Sequence, residues 1–551
     1  MTPHRLSLAA LALALALPAV SLAARPTNKG PKLAVILVVD QFSYETMRAM
    51  RHHFGKTGIE RLTSEGASFT QAHYGHATTY TGPGHACIAS GAYANKNGIV
   101  ANKYYDRAAG KTFTMLADAA HPVLEQKPSA DDDSSPVNFI GETVGDRLRV
   151  ATGMKAKVVA IATKDRAAVL LGGRLGSAYW MSEENGKMTT STYYATERPA
   201  WVKAFNDKKI PDSWFGKTWD RSMPEKDYHG KDDRPYESGE AMGRTFPHRL
   251  TDKSGKPGSD FYAAFAATPM ANDLEVEFAK AAVAAEKLGQ RDVTDLLAVS
   301  FTANDVIGHA FGPESHEVQD AAVRVDRSIA DLLAFLEKQL GGKENLVVVF
   351  TADHGATPTP EYMASLGHPA GRIKKATIQE AVNKALGERF GAGEWVMALE
   401  DPSVFLNEKL VIERNLDFAT VQEGAGAAAM GIPGFAGYFT RTQLVRGTLP
   451  STPVAHAYQL SFYAPRSGDV LLLTQPFYFW GKYGEKNEGS THGSPYRYDS
   501  HVPLVFWGAG VNPGVHRGWV DISDLAPTLA ALLDIGAPAG ADGQARAEVL
   551  K

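Results

Sequence analysis

Short runs of consecutive apolar residues recur along this chain and alternate with longer amphipathic segments. Fully apolar runs of this length are typical of strands buried on both faces of a parallel sheet. Residues 318–336 place apolar side chains three and four positions apart, which predicts a helix that ends at Gly341-Gly342. This alternation predicts an α/β fold with a central, mostly parallel sheet flanked by helices. The strands are expected at 33–39, 157–162, 296–301, 346–350 and 503–508.

Acidic and imidazole side chains follow three of these expected strands. Asp40 ends the first, Asp305 and His309 follow another, and Asp353-His354 follow a third. The carboxyl ends of strands are where α/β sheets place their chemistry. Asp305 and His309 are four residues apart, so on a helical turn they face the same way and can share a metal. Taken alone, Asp40 is equally an N-cap for the next helix, and a lone histidine is more often structural.

Together with His492, which lies in a Gly-containing loop, these positions supply three aspartates and three histidines. That number is sufficient for two metal ions with three protein ligands each. Mixed carboxylate and imidazole ligands suit zinc better than magnesium or calcium. Two such ions about 4 Å apart can hold the attacking and leaving oxygens of an in-line displacement. The pattern therefore predicts a metallohydrolase that transfers phosphoryl groups.

Residues 77–91 join a turn rich in Gly and Pro to a small-residue stretch that predicts the start of a helix. The free N–H groups and the dipole at a helix N-terminus favour an anion. Thr81 in this turn is the candidate nucleophile. Its hydroxyl needs a base or a metal to ionise it, and it could complete one of the two metal sites.

The overall charge does not favour a polyanionic partner. The formal net charge is −4 and the pI is near 6.5, so we expect no nucleic-acid binding, and any phosphate site must be local. Lys164 and Arg166 follow an expected strand and are suited to oxyanion binding. Asn102 could donate its amide N–H groups to a phosphoryl oxygen. Solvated loop residues are the alternative interpretation for all three.

The N-terminus has the pattern of a cleaved secretory signal at residues 1–23, because Arg5 precedes a short apolar run that ends in small residues. No later segment predicts a membrane span. We therefore expect a periplasmic protein, and its single cysteine, Cys87, excludes an internal disulfide framework. One catalytic domain is expected over 30–535, with insertions at 172–270 and 361–480 that cover the active site.

Five motifs follow one another along the chain: Thr81-Gly82-Pro83-Gly84-His85, Gly98-Ile99-Val100-Ala101-Asn102, Asn304-Asp305 with His309, Thr351-Ala352-Asp353-His354-Gly355 and Thr491-His492-Gly493. In this order they resemble the alkaline phosphatase superfamily. Within it they resemble the threonine-nucleophile type I phosphodiesterases and nucleotide pyrophosphatases, and most closely the bacterial periplasmic alkaline phosphatases of the PafA type. The set of motifs is specific although no single motif is, and the resemblance covers residues 32–533.

The resemblance implies a role for each of these residues. One zinc ion would stabilise the leaving alkoxide, and a second would ionise the Thr81 hydroxyl, which attacks phosphorus and becomes phosphothreonine. The N–H after Thr81 and the Asn102 amide would hold phosphoryl oxygens. The implied ligands are Asp305, His309 and His492 for the first zinc, and Asp40, Asp353, His354 and Thr81 for the second.

Lys164 and Arg166 match the pair of cations that monoesterases of this branch direct at a dianionic phosphoryl group. The resemblance therefore implies an alkaline phosphatase, a monomer that scavenges phosphate from small-molecule phosphate esters with two Zn²⁺ ions. A phosphodiesterase or nucleotide pyrophosphatase on the same scaffold is the alternative. An exported binding protein with a decayed site is a third reading, although every expected ligand is present. The turn at Thr81 lacks the Cys or Ser and the Arg that sulfatases of the superfamily require.

Overall fold

Ten strands form one central sheet in this computed structural model, which describes residues 30–127, 134–239 and 242–551. The signal peptide predicted for residues 1–23 lies outside the described residues. The strands run in the spatial order β9-β2-β8-β7-β1-β6-β3-β4-β5, and β10 pairs with β2. Their bounds are β1 Leu33–Val39, β2 Ala67–His73, β3 Val158–Ala162, β4 Ser177–Met181, β5 Met188–Thr189, β6 Asp295–Phe301, β7 Leu346–Thr351, β8 His501–Gly508, β9 Gly514–His516 and β10 Val520–Asp521.

The middle of the sheet is parallel, from β7 through β1, β6 and β3 to β4. Val35 in β1 lies opposite Leu297 in β6 and Val348 in β7. All seven residues of β1 are buried, which explains why its sequence carries no polar residue, since each buried Val, Leu or Ile contributes about 1.5–3 kcal/mol. β8 and β5 pair antiparallel with their neighbours. The predicted mostly parallel α/β sheet is confirmed.

Helices connect the strands and cover the sheet. The longest of them begins after Ser315, whose hydroxyl accepts the Val318 N–H at 3.1 Å, and ends at Gly341 in the left-handed region. Its predicted apolar stripe is buried against the core. In the ranges described above, no helix has the length and apolar character needed to cross a membrane. The helices nearest the sheet and the site are Tyr44–Met50, Ile59–Glu65, Thr81–Ser90, Val144–Ala151, Asp165–Gly172, Pro269–Glu286, Ala303–Phe311, His316–Leu340 and Leu525–Leu532.

The first predicted insertion, 172–270, begins too early. β4 and β5 fall inside it, yet β4 pairs in parallel with β3 and belongs to the central sheet. Between β5 and β6, the described residues contribute no further strand to the central sheet. The second predicted insertion, 361–480, contains a separate antiparallel sheet with its own apolar core. The strands of that sheet, in spatial order, are Val396–Glu400, Ser403–Leu406, Val470–Thr474 and Phe435–Thr440.

Candidate active site

The six residues expected to bind metal meet at one edge of the sheet. β1, β6 and β7 are parallel neighbours, so their carboxyl ends lie side by side. Each delivers one aspartate, either directly or within the loop or helix that follows it. His492 arrives from the loop before β8. All six residues are largely buried: Asp40, Asp305, His309, Asp353, His354 and His492.

The first group consists of Asp305, His309 and His492, whose ligand atoms lie within 4.8 Å of one another. Asp305 and His309 occupy one face of the helix Ala303–Phe311, and Asp305 Oδ2 lies 3.3 Å from His309 Nε2. The other oxygen, Oδ1, lies 3.3 Å from His492 Nε2. The structure therefore brings together the three residues that were expected to share one ion.

The second group differs in part from the expected set. Asp40, His354 and Asp305, rather than Asp353, place ligand atoms within 4.8 Å of one another. Asp305 therefore belongs to both groups. Asp353 is nevertheless adjacent, since its Oδ2 lies 3.3 Å from His354 Nε2. His354 Nε2 is 3.4 Å from Asp40 Oδ1.

The three histidines share one tautomer that leaves Nε2 available to a metal. In each ring Nδ1 donates to a backbone carbonyl, so in a neutral imidazole the lone pair lies on Nε2. Desolvation lowers the pKa of both His354 and His492, which keeps these two rings neutral. The acceptors for His309, His354 and His492 are the carbonyls of Ser490 at 2.8 Å, Gly355 at 2.9 Å and Thr79 at 2.7 Å.

The carboxylates of Asp40, Asp305 and Asp353 are buried close together, so nearby positive charge stabilises their ionised forms. Burial raises the pKa of Asp40 well above its usual range, and the neighbouring Asp305 and Asp353 charges add to that rise. Burial also raises the pKa of Asp353 to about 7. For Asp305, burial acts in the same direction, but its interactions with His309 and Lys164 outweigh burial and hold its pKa well below the usual range.

The donor set fits metal ions. Asp40 Oδ1, Asp353 Oδ2 and His354 Nε2 are buried and have no hydrogen-bond partner within the described part of the chain. All three atoms can accept a hydrogen bond or bind a metal ion, and without a proton they cannot form hydrogen bonds with one another. Buried polar groups without partners are rare in folded proteins, and a cation satisfies all three at once. Carboxylate oxygens with imidazole nitrogens form a ligand set that zinc accepts.

Thr81 is the first residue of the helix Thr81–Ser90 and is buried. The close packing of this helix on the metal-ligand loop requires glycine at position 84, where an added Cβ would lie 2.4 Å from the Asp353 carbonyl oxygen. His85 fixes the same turn, because its ring bonds the Thr81 carbonyl through Nδ1 and Ser300 Oγ through Nε2, both at 2.8 Å. Burial lowers the pKa of His85 to about 4, which keeps its ring neutral between these two contacts.

Asn102 is oriented by the backbone next to the candidate nucleophile. Its Oδ1 accepts the Gly82 N–H at 2.8 Å, and this bond assigns the orientation of the carboxamide. The Nδ2 hydrogens are consequently the donors that Asn102 can offer to a substrate. The resemblance implied that the Gly82 N–H also binds a phosphoryl oxygen, but here that N–H is already bonded to Asn102.

Lys164 and Arg166 border the same site, at the start of the helix Asp165–Gly172. Lys164 Nζ lies 2.7 Å from Asp40 Oδ2 and also contacts Asp305 Oδ2. Burial lowers the pKa of this amine, but the Asp305 and Asp40 charges outweigh burial and raise it. The lysine expected to face phosphate is therefore paired with the carboxylates of two candidate metal ligands.

Sequence reasoning missed Gln41, which contacts two of the candidate ligands, Asp353 and Asp305. Its backbone N–H donates to Asp353 Oδ1 at 3.1 Å, and its side-chain amide donates to Asp305 Oδ1 at 2.7 Å. An added Cβ at Gly308 would lie 1.7 Å from Gln41 Oε1, which explains the glycine on that helix. The signal available in the sequence was only that Gln41 immediately follows Asp40.

Two buried acids that support the site were also missed. Glu275 Oε1 accepts the Thr163 N–H at 2.6 Å and the Thr302 hydroxyl at 3.2 Å, so it holds the ends of β3 and β6. Asp499 accepts the Ser494 N–H at 2.9 Å and its hydroxyl at 2.6 Å, and its backbone carbonyl accepts the Gly355 N–H at 2.7 Å. It thereby joins the loops that carry His492 and His354.

Known proteins that resemble this chain align with almost its whole length. A protein described as "Calcium-transporting ATPase" from Myroides odoratus is 33% identical over 521 residues, which is 93% of each chain. "Alkaline phosphatase PafA" from Elizabethkingia meningoseptica is 31% identical over 538 residues, or 96% of each. The crystal structure of wild-type PafA superposes with a TM-score of 0.86 at 30% identity, over 96% of this chain and 100% of that one.

The family described as type I phosphodiesterase/nucleotide pyrophosphatase matches residues 34–495. That range includes β1 and β6 with their aspartates, the Thr81 turn and the His492 loop. The chain therefore belongs to the type I phosphodiesterase/nucleotide pyrophosphatase family of the alkaline phosphatase superfamily.

Proposed function

We propose that this protein is an alkaline phosphatase, a zinc-dependent hydrolase of phosphate monoesters that acts through a phosphothreonine intermediate. The observation that carries the proposal is the convergence of three aspartates and three Nε2-presenting histidines beside a threonine at a helix N-terminus. Full-length similarity to PafA, which is described as an alkaline phosphatase, supports the same activity.

Two Zn²⁺ ions are proposed for the two ligand groups. Asp305, His309 and His492 would hold one, and Asp40, Asp353 and His354 would hold the other together with the Thr81 hydroxyl. Bound there, the ions would supply Lewis acidity to the attacking and leaving oxygens. Because Asp305 belongs to both groups, its carboxylate can influence both ions.

The residues of the chain then position and cleave the ester. The Thr81 oxygen attacks phosphorus in line as the bond to the leaving oxygen breaks. The Thr81 hydroxyl proton goes to solvent, and the leaving oxygen takes a proton from solvent to depart as an alcohol. Asn102 Nδ2 donates to a phosphoryl oxygen. Water then attacks the phosphothreonine, releases phosphate and restores the Thr81 hydroxyl. The buried helix N-terminus also stabilises the negative charge of the phosphoryl group.

Lys164 and Arg166 favour a monoester over a diester. A monoester dianion has one more charged oxygen than a diester, and two cations beside the nucleophile can compensate that charge. When metal ions neutralise the ligand carboxylates, the Lys164 ammonium no longer needs them as its partners and can face phosphate. A phosphodiesterase with the same Thr81 and metals is the second candidate, favoured by the description of the family.

The proposed location is the periplasm. The charged and apolar pattern of residues 1–23 supports cleavage and export, and small phosphate esters are the proposed substrates of a monomeric enzyme. Phosphate scavenging outside the cytoplasm is the role that such a location and such substrates suggest.

Two variants at one position test the proposal. Zinc-loaded Thr81→Ala should lose hydrolysis of p-nitrophenyl phosphate, whereas Thr81→Ser keeps a hydroxyl and should retain measurable turnover. Acid quenching of the wild type during turnover should leave a phosphoryl group on the peptide that contains Thr81. Full activity of Thr81→Ala would contradict the nucleophile, and unchanged activity after exhaustive chelation would contradict the metal site.

A further inference from the structure

A basic and aromatic surface borders the first ligand group on its solvent side. We call Lys482, Tyr483 and Lys486 the Tyr483 rim. The Tyr483 ring stacks on His309 with centroids 4.8 Å apart and planes 7° from parallel. The His309 side chain is 20% exposed, whereas those of His354 and His492 are 0% and 2% exposed. The rim therefore lies where the first ligand group opens to solvent.

Both lysines place their charge at the Tyr483 ring. Lys482 Nζ lies 5.2 Å and Lys486 Nζ 5.7 Å from the ring centroid. Both ammonium groups therefore lie near the ring that stacks on His309. Neither makes a salt bridge with a carboxylate in the ranges that the structure describes. The chain as a whole carries a net charge of −4, so these two lysines are a local concentration of positive charge beside the site.

A buried arginine fixes the loop that carries the rim. Arg372, whose side chain is 7% exposed, forms two bonds of 2.7 and 2.8 Å with the Glu361 carboxylate. Its guanidinium also donates to the carbonyls of Tyr483 at 2.9 Å, Glu488 at 3.2 Å and Gly489 at 2.8 Å. A bidentate, multiply bonded arginine restrains the backbone, so the rim is held in place beside His309.

Lys482 of the rim acts on the same carboxylate as the cations expected to face the phosphoryl group. Desolvation and the Asp165 charge raise the pKa of the Glu183 carboxyl, and the charges of Arg166, Lys164 and Lys482 oppose that rise. Glu183 thus links the rim electrostatically to Lys164 and Arg166.

We propose that the Tyr483 rim binds an anionic group in the leaving portion of the substrate. The inference rests on the proposed phosphomonoesterase function, in which the first ligand group lies beside the leaving oxygen. Lys164 and Arg166 would face the phosphoryl dianion, and Lys482 and Lys486 would face a second negative charge farther along the molecule. The preferred substrates are therefore phosphate monoesters whose leaving group carries another anionic group, such as a carboxylate or a second phosphate.

A matched pair of substrates tests this preference. 4-Carboxyphenyl phosphate and its methyl ester differ in charge at a position remote from phosphorus, and both leaving groups are substituted phenols. The double variant Lys482→Gln/Lys486→Gln keeps the aliphatic stems and removes both charges. The kcat/KM ratio of the carboxylate to the ester should fall about 3- to 10-fold, since an exposed charge pair contributes modestly. Hydrolysis of the ester should change less than about twofold.

Four controls make the result specific. Lys384→Ala/Lys409→Ala removes the same total charge from exposed positions of the second insertion and should leave the ratio unchanged. Glu183→Gln should raise the ratio. The inhibition constant of inorganic phosphate, which has no leaving group, should change less than about twofold in the rim variant, and added salt should reduce the wild-type preference.

The outcomes separate this inference from the function on which it rests. A ratio that is the same in the wild type and the rim variant would overturn the inference, and so would equal losses on both substrates. Either result would leave the lysines as stabilisers of the loop through their contacts with Tyr483. Failure of zinc-loaded wild type to cleave either ester would instead overturn the proposed phosphomonoesterase.

Discussion

Replacement of Glu275 by glutamine should change the pH dependence of stability in a defined direction. Burial raises the pKa of Glu275 to about 8 in the folded protein, against an ordinary value of 4.5 for a glutamate in the unfolded chain. Its Oε1 accepts two hydrogen bonds, from the Thr163 N–H and the Thr302 hydroxyl, which glutamine can also accept. The substitution therefore removes the titration and keeps both contacts of the side chain with the ends of β3 and β6.

Between pH 4.5 and 8 the folded wild type holds a proton on Glu275 that the unfolded chain has lost. The stability that this group contributes is complete below pH 4.5 and is lost as the pH rises towards 8. The loss is about 1.4 kcal/mol per pH unit. From pH 5.5 to 7.5, Glu275→Gln should therefore gain about 3 kcal/mol relative to the wild type, and the difference should level off above pH 8.

Thermal unfolding at saturating zinc measures this difference. At roughly 2.1 cal/mol/K per residue, a protein of this size shifts its Tm by about 1 °C per kcal/mol. The Tm of Glu275→Gln minus that of the wild type should thus rise by about 2–3 °C from pH 5.5 to 7.5. Glu277→Gln, on the exposed side of the same helix, is the matched control and should show no such trend. A constant difference for Glu275→Gln would refute the reasoning.

The remaining predictions concern the site itself. Lys164→Ala/Arg166→Ala should lower kcat/KM for p-nitrophenyl phosphate at least 10²-fold, because two charge-assisted contacts are lost. It should lower hydrolysis of bis-p-nitrophenyl phosphate far less, and equal losses would contradict the assigned role. Asn102→Ala should reduce kcat about 10²-fold on both esters, and an unchanged kcat would exclude the amide as a phosphoryl donor. Asp499→Asn should weaken zinc binding about 10- to 100-fold in a chelator competition; an unchanged affinity would show that the two loops do not depend on its carboxylate.

The central sheet could be predicted because its strands are buried on both faces. β1, β6 and β7 are nearly uninterrupted apolar runs, and a sequence of that kind has few other stable locations. β4 was missed as a sheet strand because Ser177–Met181 is short, follows a helix that ends in Gly172-Gly173, and precedes a polar region. Its place in the sheet depends on pairing with β3, which its own sequence does not show.

Five of the six candidate ligands could be proposed from the sequence because each follows a strand or lies at a helical spacing, whereas His492 lies in a loop and has only a neighbouring glycine as a local signal. The division of the ligands between two groups could not be predicted, because only the folded geometry shows that Asp305 belongs to both. Gln41, Glu275 and Asp499 were missed for a related reason. Each acts through contacts with residues distant in sequence, and no local pattern marks such a residue.

The most direct measurement is the ratio of kcat/KM for p-nitrophenyl phosphate to that for bis-p-nitrophenyl phosphate on the zinc-loaded wild type. A ratio far above one is the result expected of an alkaline phosphatase in which Lys164 and Arg166 compensate a dianionic phosphoryl group. A ratio below one would contradict that account and identify the chain as a phosphodiesterase that uses the same metals and the same Thr81.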